Sequence, residues 1–142
     1  MKTAYLVALV CLASVTAFAV QRDRNNAVTT VQLKFAAFDR HDVTAIEALY
    51  ATDAVLHSPD YPNLQGNVPI AATYRRLFEA IPDAKDELQS LGIDANKVYA
   101  QFVLTGHLNG NPDAIVRVRI MSIYTIEAGH IVEDATYYDR KT

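Results

Sequence analysis

The chain has 142 residues, with 13 lysine and arginine side chains against 16 aspartate and glutamate side chains, so its formal net charge is −3 at neutral pH. This acidic balance argues against nucleic acid or an anionic membrane surface as a partner, because both attract basic proteins. The single cysteine, Cys11, excludes an intramolecular disulfide framework. The length suits one domain with an ordinary hydrophobic core.

The first 19 residues, MKTAYLVALVCLASVTAFA, have the pattern of a secretory signal peptide. Their apolar stretch is shorter than the about 20 residues that a membrane span needs. We expect cleavage after Ala19, which leaves a domain of residues 20–142 with no cysteine and, because Lys2 is lost, a net charge of −4. The expected destination is periplasmic or extracellular, without membrane association after cleavage. Lipoprotein modification of Cys11 and a plastid-targeting leader are less favoured alternatives.

Three helices are predicted next. Over residues 25–39 apolar side chains recur at helical spacing, and the stripe ends at the sequence DRHD. Asp42 is a favourable N-cap for a short second helix over residues 43–50. A third helix is expected to begin at Asn67, with a proline in its first turn, and to end before Pro82.

Beyond the third helix the pattern changes to extended runs separated by short polar turns. The runs cover about residues 84–92, 97–107, 114–127 and 130–139, and their short connections predict neighbouring antiparallel strands. Helices followed by such a meander predict an α+β fold, in which three N-terminal helices pack on one face of a strongly curved, mainly antiparallel sheet.

Several strings, in this order, resemble the SnoaL-like polyketide cyclase family of the nuclear transport factor 2-like superfamily. FAAFDRHDVTAIEALYATDAVLHSPD is similar to the family's first two helices and following strand, LQGNVPIAATYRRLFEAIPD to its third helix, and YTIEAGHIVEDATYYD to its final hairpin. The resemblance implies a cone with an internal pocket for a small, usually apolar or aromatic molecule. Because the family includes cyclases, isomerases, dehydratases, hydrolases and non-catalytic domains, it predicts a pocket more directly than a reaction.

Two departures from the family's pattern bear on the chemistry. Members often carry Gly-x-His-x-Gly in the middle strand, whereas residues 106–110 read GHLNG, which moves His107 one place and therefore to the opposite strand face. The last strand of cyclases often reads Glu-His-Trp-Asp, whereas residues 133–136 read EDAT. The family's proton-transfer position is thus occupied by Thr136, which cannot titrate, and the acid on the same face is Asp134.

His57 and Asp134 are the predicted catalytic pair. His57 stands where the family typically has a pocket histidine, and imidazole transfers protons near neutral pH; the alternative is a structural histidine bonded to the backbone of the following turn. We expect the run AVLH to form a short strand that ends at Pro59 and holds His57 at the cavity mouth, facing Asp134. A carboxyl group in an apolar cone has a raised pKa, which suits a general acid or base; the alternative is that its strand face points outward.

Further side chains are candidate ligand contacts. Thr136 and Tyr138 share a strand face with Asp134, so one orientation should hold for all three. Arg119 could bind a carboxylate or enolate oxygen of a ligand, and a cross-strand ion pair is an equally good interpretation of this residue. The complete set of candidate contacts is Asp60, Tyr74, His107, Arg119, Thr136 and Tyr138.

The histidines lack the spacing of a metal site, and no phosphate-binding loop or nucleophile elbow is present in the sequence. We therefore expect neither a metal nor a cofactor. The sequence predicts a secreted domain that binds a small organic molecule. It is either a cofactor-free acid/base enzyme on a partly apolar substrate or a non-catalytic carrier or dimerisation module. Isoleucine and methionine positions on the outer sheet face predict a homodimer through the sheet.

Overall fold

The computed structural model describes the backbone of residues 2–139 and the side chains of residues 15–139. Three helices and six strands follow one another in the order α1 (Lys2–Asp39), α2 (Val43–Leu49), β1 (Tyr50–His57), β2 (Leu64–Gln65), α3 (Asn67–Ala80), β3 (Lys85–Asp94), β4 (Lys97–Leu108), β5 (Asn111–Glu127) and β6 (His130–Tyr138). Among the described residues, no helix combines the length and the apolar character that crossing a membrane requires.

The helix boundaries follow local sequence signals. The Asp42 side chain accepts a hydrogen bond of 2.9 Å from the backbone N–H of Ala45, which caps α2 as predicted. Helix α3 begins at Asn67, directly after Gly66, whose φ of 95° favours glycine. Helix α1 differs from the prediction, because it begins at Lys2 instead of near residue 25. The leader is rich in alanine and leucine, which are strong helix formers.

The six strands form one sheet in the order β2-β1-β6-β5-β4-β3. Strands β3 to β6 pair antiparallel with their neighbours in sequence, as the four predicted runs require. Strand β1 is longer than the predicted AVLH run, and it joins the sheet parallel to β6, with Leu56 as the register partner of Asp134. The short β2 was not predicted. The α+β fold, with three helices on a mainly antiparallel sheet, is confirmed.

The core lies between the helices and one face of the sheet, here called the inner face. Strand β5 shows the alternation clearly, because Ser122 and Tyr124 are buried on the inner face while Arg117 and Arg119 are exposed on the outer face. From α1, Val31, Phe35 and Phe38 enter this core. Phe35 meets Phe102 of β4 edge to face, with ring centroids 5.0 Å apart.

Candidate functional site

A cavity of about 340 Å³ opens between α1, α3 and the inner face of the sheet. Its size suits a small organic molecule. Most of the exposed wall area is apolar, and polar groups from α1, α3, the strands and the loop after β1 are distributed around it. The apolar lining comes from Phe38, Leu56, Leu77, Phe102, Leu104 and Ile120.

A lysine and an aspartate lie buried side by side on the cavity wall. The Nζ of Lys34, on α1, lies 3.6 Å from Oδ2 of Asp86, on β3. Position 34 follows Val31 by three residues and precedes Phe38 by four, so it falls on the inward stripe of α1. Five aromatic rings surround the ammonium group, with centroids 4.8 to 5.7 Å from Nζ, and belong to Phe35, Phe38, Tyr74, Phe102 and Tyr124.

Burial acts differently on the two members of this pair. Burial by itself lowers the pKa of Lys34. The neighbouring Tyr124, Tyr74 and Asp86 outweigh this effect and raise the pKa of the lysine well above its ordinary value. Burial also raises the pKa of Asp86, to about 6, although Lys34 partly offsets the effect. The lysine therefore stays cationic at neutral pH, while the Asp86 carboxyl group exchanges its proton near neutrality.

Asp134 lies behind the cavity wall at the centre of a hydroxyl network. Its Oδ2 accepts a hydrogen bond of 2.6 Å from Tyr50, and its Oδ1 accepts one of 2.8 Å from Thr136. Tyr50 is in turn 3.0 Å from the hydroxyl of Tyr74, and Thr136 is 2.6 Å from that of Ser122. Burial raises the pKa of Asp134, against the lowering effects of Lys34 and of these two hydrogen bonds.

The cavity mouth is lined by residues from the loop after β1, from α3 and from the end of β6. Tyr138 donates a hydrogen bond to the Asp60 carboxylate, which joins the end of β6 to that loop. Arg76 of α3 donates a hydrogen bond of 3.4 Å to the Tyr61 hydroxyl. The predicted ligand contacts Asp60, Tyr74, Thr136 and Tyr138 all line this cavity.

The family model of the SnoaL-like domain matches residues 31–134, which is most of the chain. The chain belongs to the SnoaL-like family. No curated protein matches its sequence. The match confirms the family resemblance found in the sequence, and the matched segment, from Val31 on α1 to Asp134 on β6, contains every lining residue of the cavity except Thr136 and Tyr138.

Solved structures share the fold of this SnoaL-like domain. A protein assigned as a SnoaL-like polyketide cyclase from Jannaschia sp. CCS1 is 19% identical with a TM-score of 0.73, over 82% of this chain and 87% of that one. An LEH-like epoxide hydrolase of M. tuberculosis is 16% identical with a TM-score of 0.71, over 82% and 84%. A protein of ketosteroid isomerase-like fold from Catenulispora acidiphila, in complex with trimethylamine, is 20% identical with a TM-score of 0.71, over 78% and 85%. At these identities the likeness shows the fold alone.

In the SnoaL-like domain His57 does not face Asp134 across the cavity. Its Nδ1 lies 2.8 Å from the backbone carbonyl oxygen of Pro62, and its Nε2 lies 3.7 Å from Oε1 of Glu133. Leu56 is the register partner of Asp134 and lines the cavity, so strand alternation turns the next side chain to the outer face. This geometry matches the alternative of a histidine bonded to a turn, and the expected facing pair is not formed.

Two predicted ligand contacts also lie outside the cavity. Arg119 is exposed on the outer face of the sheet, because it alternates with the inward Ile120. The backbone N–H of His107 donates to Asp83 over 2.7 Å, and its Nδ1 lies 2.7 Å from the second Asp83 oxygen. These bonds join His107, which is exposed near the end of β4, to the loop before β3, and they lower the pKa of Asp83.

Sequence reasoning did not identify Lys34, Asp86 or Tyr50 as residues of this site. A lysine inside an apolar helical stripe was the available signal for Lys34, and the place of Asp86 on the same face of the predicted strand as Ala84 was the signal for Asp86. Tyr50 was read as the inward end of the second helix, whereas it is the first residue of β1. In the part of the chain that the structure describes, no group of three or more histidine, cysteine or acidic side chains could hold a metal ion.

Proposed function

We propose that this SnoaL-like domain binds a small, partly apolar organic molecule in the cavity and catalyses cofactor-independent proton transfer on it. The observation that carries the proposal is the buried Lys34–Asp86 pair on the wall of an otherwise largely apolar cavity. A buried charge pair is a costly feature, and a cavity wall is where it can serve a ligand instead of the core.

The two side chains divide the chemistry between them. Asp86 is the proposed general acid or base, because a carboxyl group with a pKa of about 6 can both give and take a proton near neutral pH. Lys34 is the proposed stabiliser of a developing oxyanion, such as an enolate or alkoxide. The apolar walls hold the ligand and keep water away. Isomerisation, cyclisation, dehydration and hydrolysis are all compatible with this pair, and the structural neighbours include proteins described as a cyclase and an epoxide hydrolase.

A thermal-shift panel of cyclic ketones, epoxides and hydroxyaromatic compounds tests the proposal, because a ligand that binds only the native state raises its apparent stability. We expect at least one class to bind and to be converted, with the reaction followed by NMR. Asp86→Asn should keep the binding and lower the turnover more than tenfold, whereas the exposed Asp113→Asn should change neither. Binding without turnover in the wild type would favour the non-catalytic carrier, and turnover that survives Asp86→Asn would exclude Asp86 as the acid or base.

We also propose that residues 1–19 are a signal peptide and that the domain is secreted or periplasmic. Support comes from the described side chains of α1, in which residues 15–23 are exposed and the first buried residue is Ala27, so the described part of the leader, residues 15–19, contributes no side chain to the core. Val15 and Phe18 are exposed apolar residues in that segment. Mass spectrometry of the exported protein should give a chain that begins at Val20, and a mature chain that retains Cys11 would contradict the proposal.

A homodimer through the outer face of the sheet is the proposed assembly. This face presents Ile115, which is 74% exposed, and Tyr137, which is 59% exposed, close to the side chains of Arg117 and Arg119. Exposed apolar groups of this size favour association. Light scattering should give two subunit masses at micromolar concentration, and Ile115→Lys should weaken association. A single subunit mass at all concentrations would contradict the dimer.

A further inference from the structure

We infer that Asp134 controls the hydrogen-bonding role of Tyr74 in the cavity through Tyr50, so that a proton can pass between Asp134 and a ligand that Asp134 never touches. This inference deepens the proposed function and rests on it for the identity of the ligand site. The geometry behind it is a continuous chain of oxygens, from Oδ2 of Asp134 to Tyr50 over 2.6 Å and from Tyr50 to Tyr74 over 3.0 Å.

The count of hydroxyl hydrogens sets the direction of this chain. When Asp134 is ionised it can only accept, so Tyr50 donates its single hydrogen to Oδ2. The Tyr50 oxygen must then accept from Tyr74, because no other hydrogen lies between the two hydroxyl groups. Tyr74, which lines the cavity, is left with lone pairs for a ligand. In this state the wall offers an acceptor at Tyr74.

Protonation of Asp134 on Oδ2 reverses every bond of the chain. The new O–H donates to Tyr50, Tyr50 donates to Tyr74, and the Tyr74 hydroxyl hydrogen becomes available to a ligand. If the ligand takes that proton, Tyr74 regains one from Tyr50, Tyr50 regains one from Asp134, and the carboxylate is restored. Both tyrosines end with one hydrogen each, so the net change is one proton from Asp134 to the ligand. The reverse sequence removes a proton from a ligand.

The surroundings of Asp134 favour exchange of this proton within the site. The second carboxyl oxygen is held by Thr136, so only Oδ2 faces the tyrosine chain. Asp134 is almost fully buried and does not line the cavity. A ligand in the cavity can therefore contact the chain from Asp134 through Tyr50 only at Tyr74. Charged and titratable groups from five elements act on Asp134, and they are Lys34 on α1, Tyr50 and His57 on β1, Tyr74 on α3, Asp86 on β3 and Tyr124 on β5.

The test follows the ring carbon bonded to each tyrosine hydroxyl, Cζ, by NMR of the full chain labelled with [¹³Cζ]tyrosine, without any ligand. In the wild type the Tyr50 and Tyr74 resonances should move together as Asp134 titrates. Tyr50→Phe cuts the chain and should reduce the pH-dependent displacement of the Tyr74 resonance at least twofold. The remainder is the through-space effect of the buried carboxylates, which does not need the hydroxyl of Tyr50.

Thr136→Val is the matched control, because it also deprives Asp134 of one hydroxyl donor but leaves the path to Tyr74 intact. Its Tyr74 resonance should keep the wild-type displacement, shifted to higher pH since a bond to the carboxylate is lost. If Tyr50→Phe does not fold, Asp134→Asn should remove more of the Tyr74 displacement than Asp86→Asn does in the same measurement, because only Asp134 is joined to Tyr74 through a hydroxyl group; an equal loss in the two variants would overturn the inference. An equal Tyr74 displacement in Tyr50→Phe and Thr136→Val would overturn the inference. A failure of the compound panel would overturn the proposed function instead, since this titration uses no ligand.

Discussion

Two aspartates three residues apart, Asp83 and Asp86, each meet a basic side chain, and the two pairs behave in opposite ways. Asp83 and His107 are 2.7 Å apart, with about half of each side chain exposed, at 54% and 48%. Asp86 and Lys34 are 3.6 Å apart, with only 3% of each side chain exposed. The pKa of Asp83 is lowered by its bonds to His107, whereas burial raises that of Asp86 to about 6.

Burial, more than distance, therefore decides what an ion pair can do in this protein. The shorter pair is solvated, so it contributes little to stability and leaves its carboxylate unreactive at neutral pH. The longer pair lies where water cannot stabilise the carboxylate, so its proton is exchangeable near neutrality. Asp83 lies in the loop just before β3, whereas Asp86 is the second residue of β3, so a surface pair and a cavity pair begin only three residues apart.

The largest effect is expected from Lys34→Met, which keeps the size of the side chain but leaves Asp86 and Asp134 buried without their cation. At pH 8 this variant should lose roughly 3–5 kcal/mol of unfolding free energy, as measured by urea denaturation. The loss should shrink towards pH 5, because both carboxyl groups can then take up protons. Lys97→Met, at an exposed lysine of β4, is the control and should change stability little. A loss that does not depend on pH would show that packing, not charge, explains the result.

The pH dependence of the wild type is the next largest effect. Because the folded pKa of Asp86 lies above its unfolded value, the folded state binds more protons, and stability should fall as the pH rises through about 6. This group's share of the fall is up to roughly 3 kcal/mol between pH 4 and pH 7. Asp83 acts with the opposite sign, since its lowered pKa contributes stability that is lost in acid.

Urea denaturation between pH 4 and pH 8 separates these two aspartates. In Asp86→Asn the free energy of unfolding should decrease less between pH 4 and pH 7 than in the wild type. In Asp83→Asn this decrease should remain. A stability profile of Asp86→Asn that runs parallel to that of the wild type between pH 4 and pH 7 would contradict a raised pKa at Asp86, because other groups would then account for the whole pH dependence.

The smallest effect is expected at the surface pair. His107→Gln removes the imidazole but leaves the backbone bond from residue 107 to Asp83. The melting temperature should change by no more than about 2 °C at pH 7, because exposed ion pairs contribute little. Differential scanning calorimetry would measure it, with His130→Gln, another exposed histidine, as the reference. A change as large as that in Lys34→Met would remove the distinction between the two pairs.

The parts of the site that a single element determines could be predicted from the sequence. Thr136 and Tyr138 line the cavity on the same strand face as Asp134, as the period of two in β6 requires. Helical spacing from Val31 and Phe38 would likewise have placed position 34 on the inward face of α1, but Lys34 was not predicted as part of the site.

The parts that depend on two elements could not be predicted. The orientation of His57 is set by the parallel pairing of β1 with β6, in which Leu56 takes the register position of Asp134. The partner of Asp86 lies on α1, 52 positions earlier in the printed sequence. Such contacts arise only when the helices pack on the sheet, and no local pattern specifies them.

Titration of the Asp86 side-chain carboxyl carbon by NMR, with Asp83 observed in the same spectra, tests whether the buried pair exchanges a proton near neutral pH. We expect Asp86 to titrate near pH 6 and Asp83 below the ordinary range of an aspartate. In Lys34→Met the Asp86 titration should move to higher pH, since the lysine holds that pKa down. An Asp86 that titrates at or below about pH 4, the ordinary value of an exposed aspartate, would contradict the claim that this buried pair forms a proton-exchanging group in the cavity.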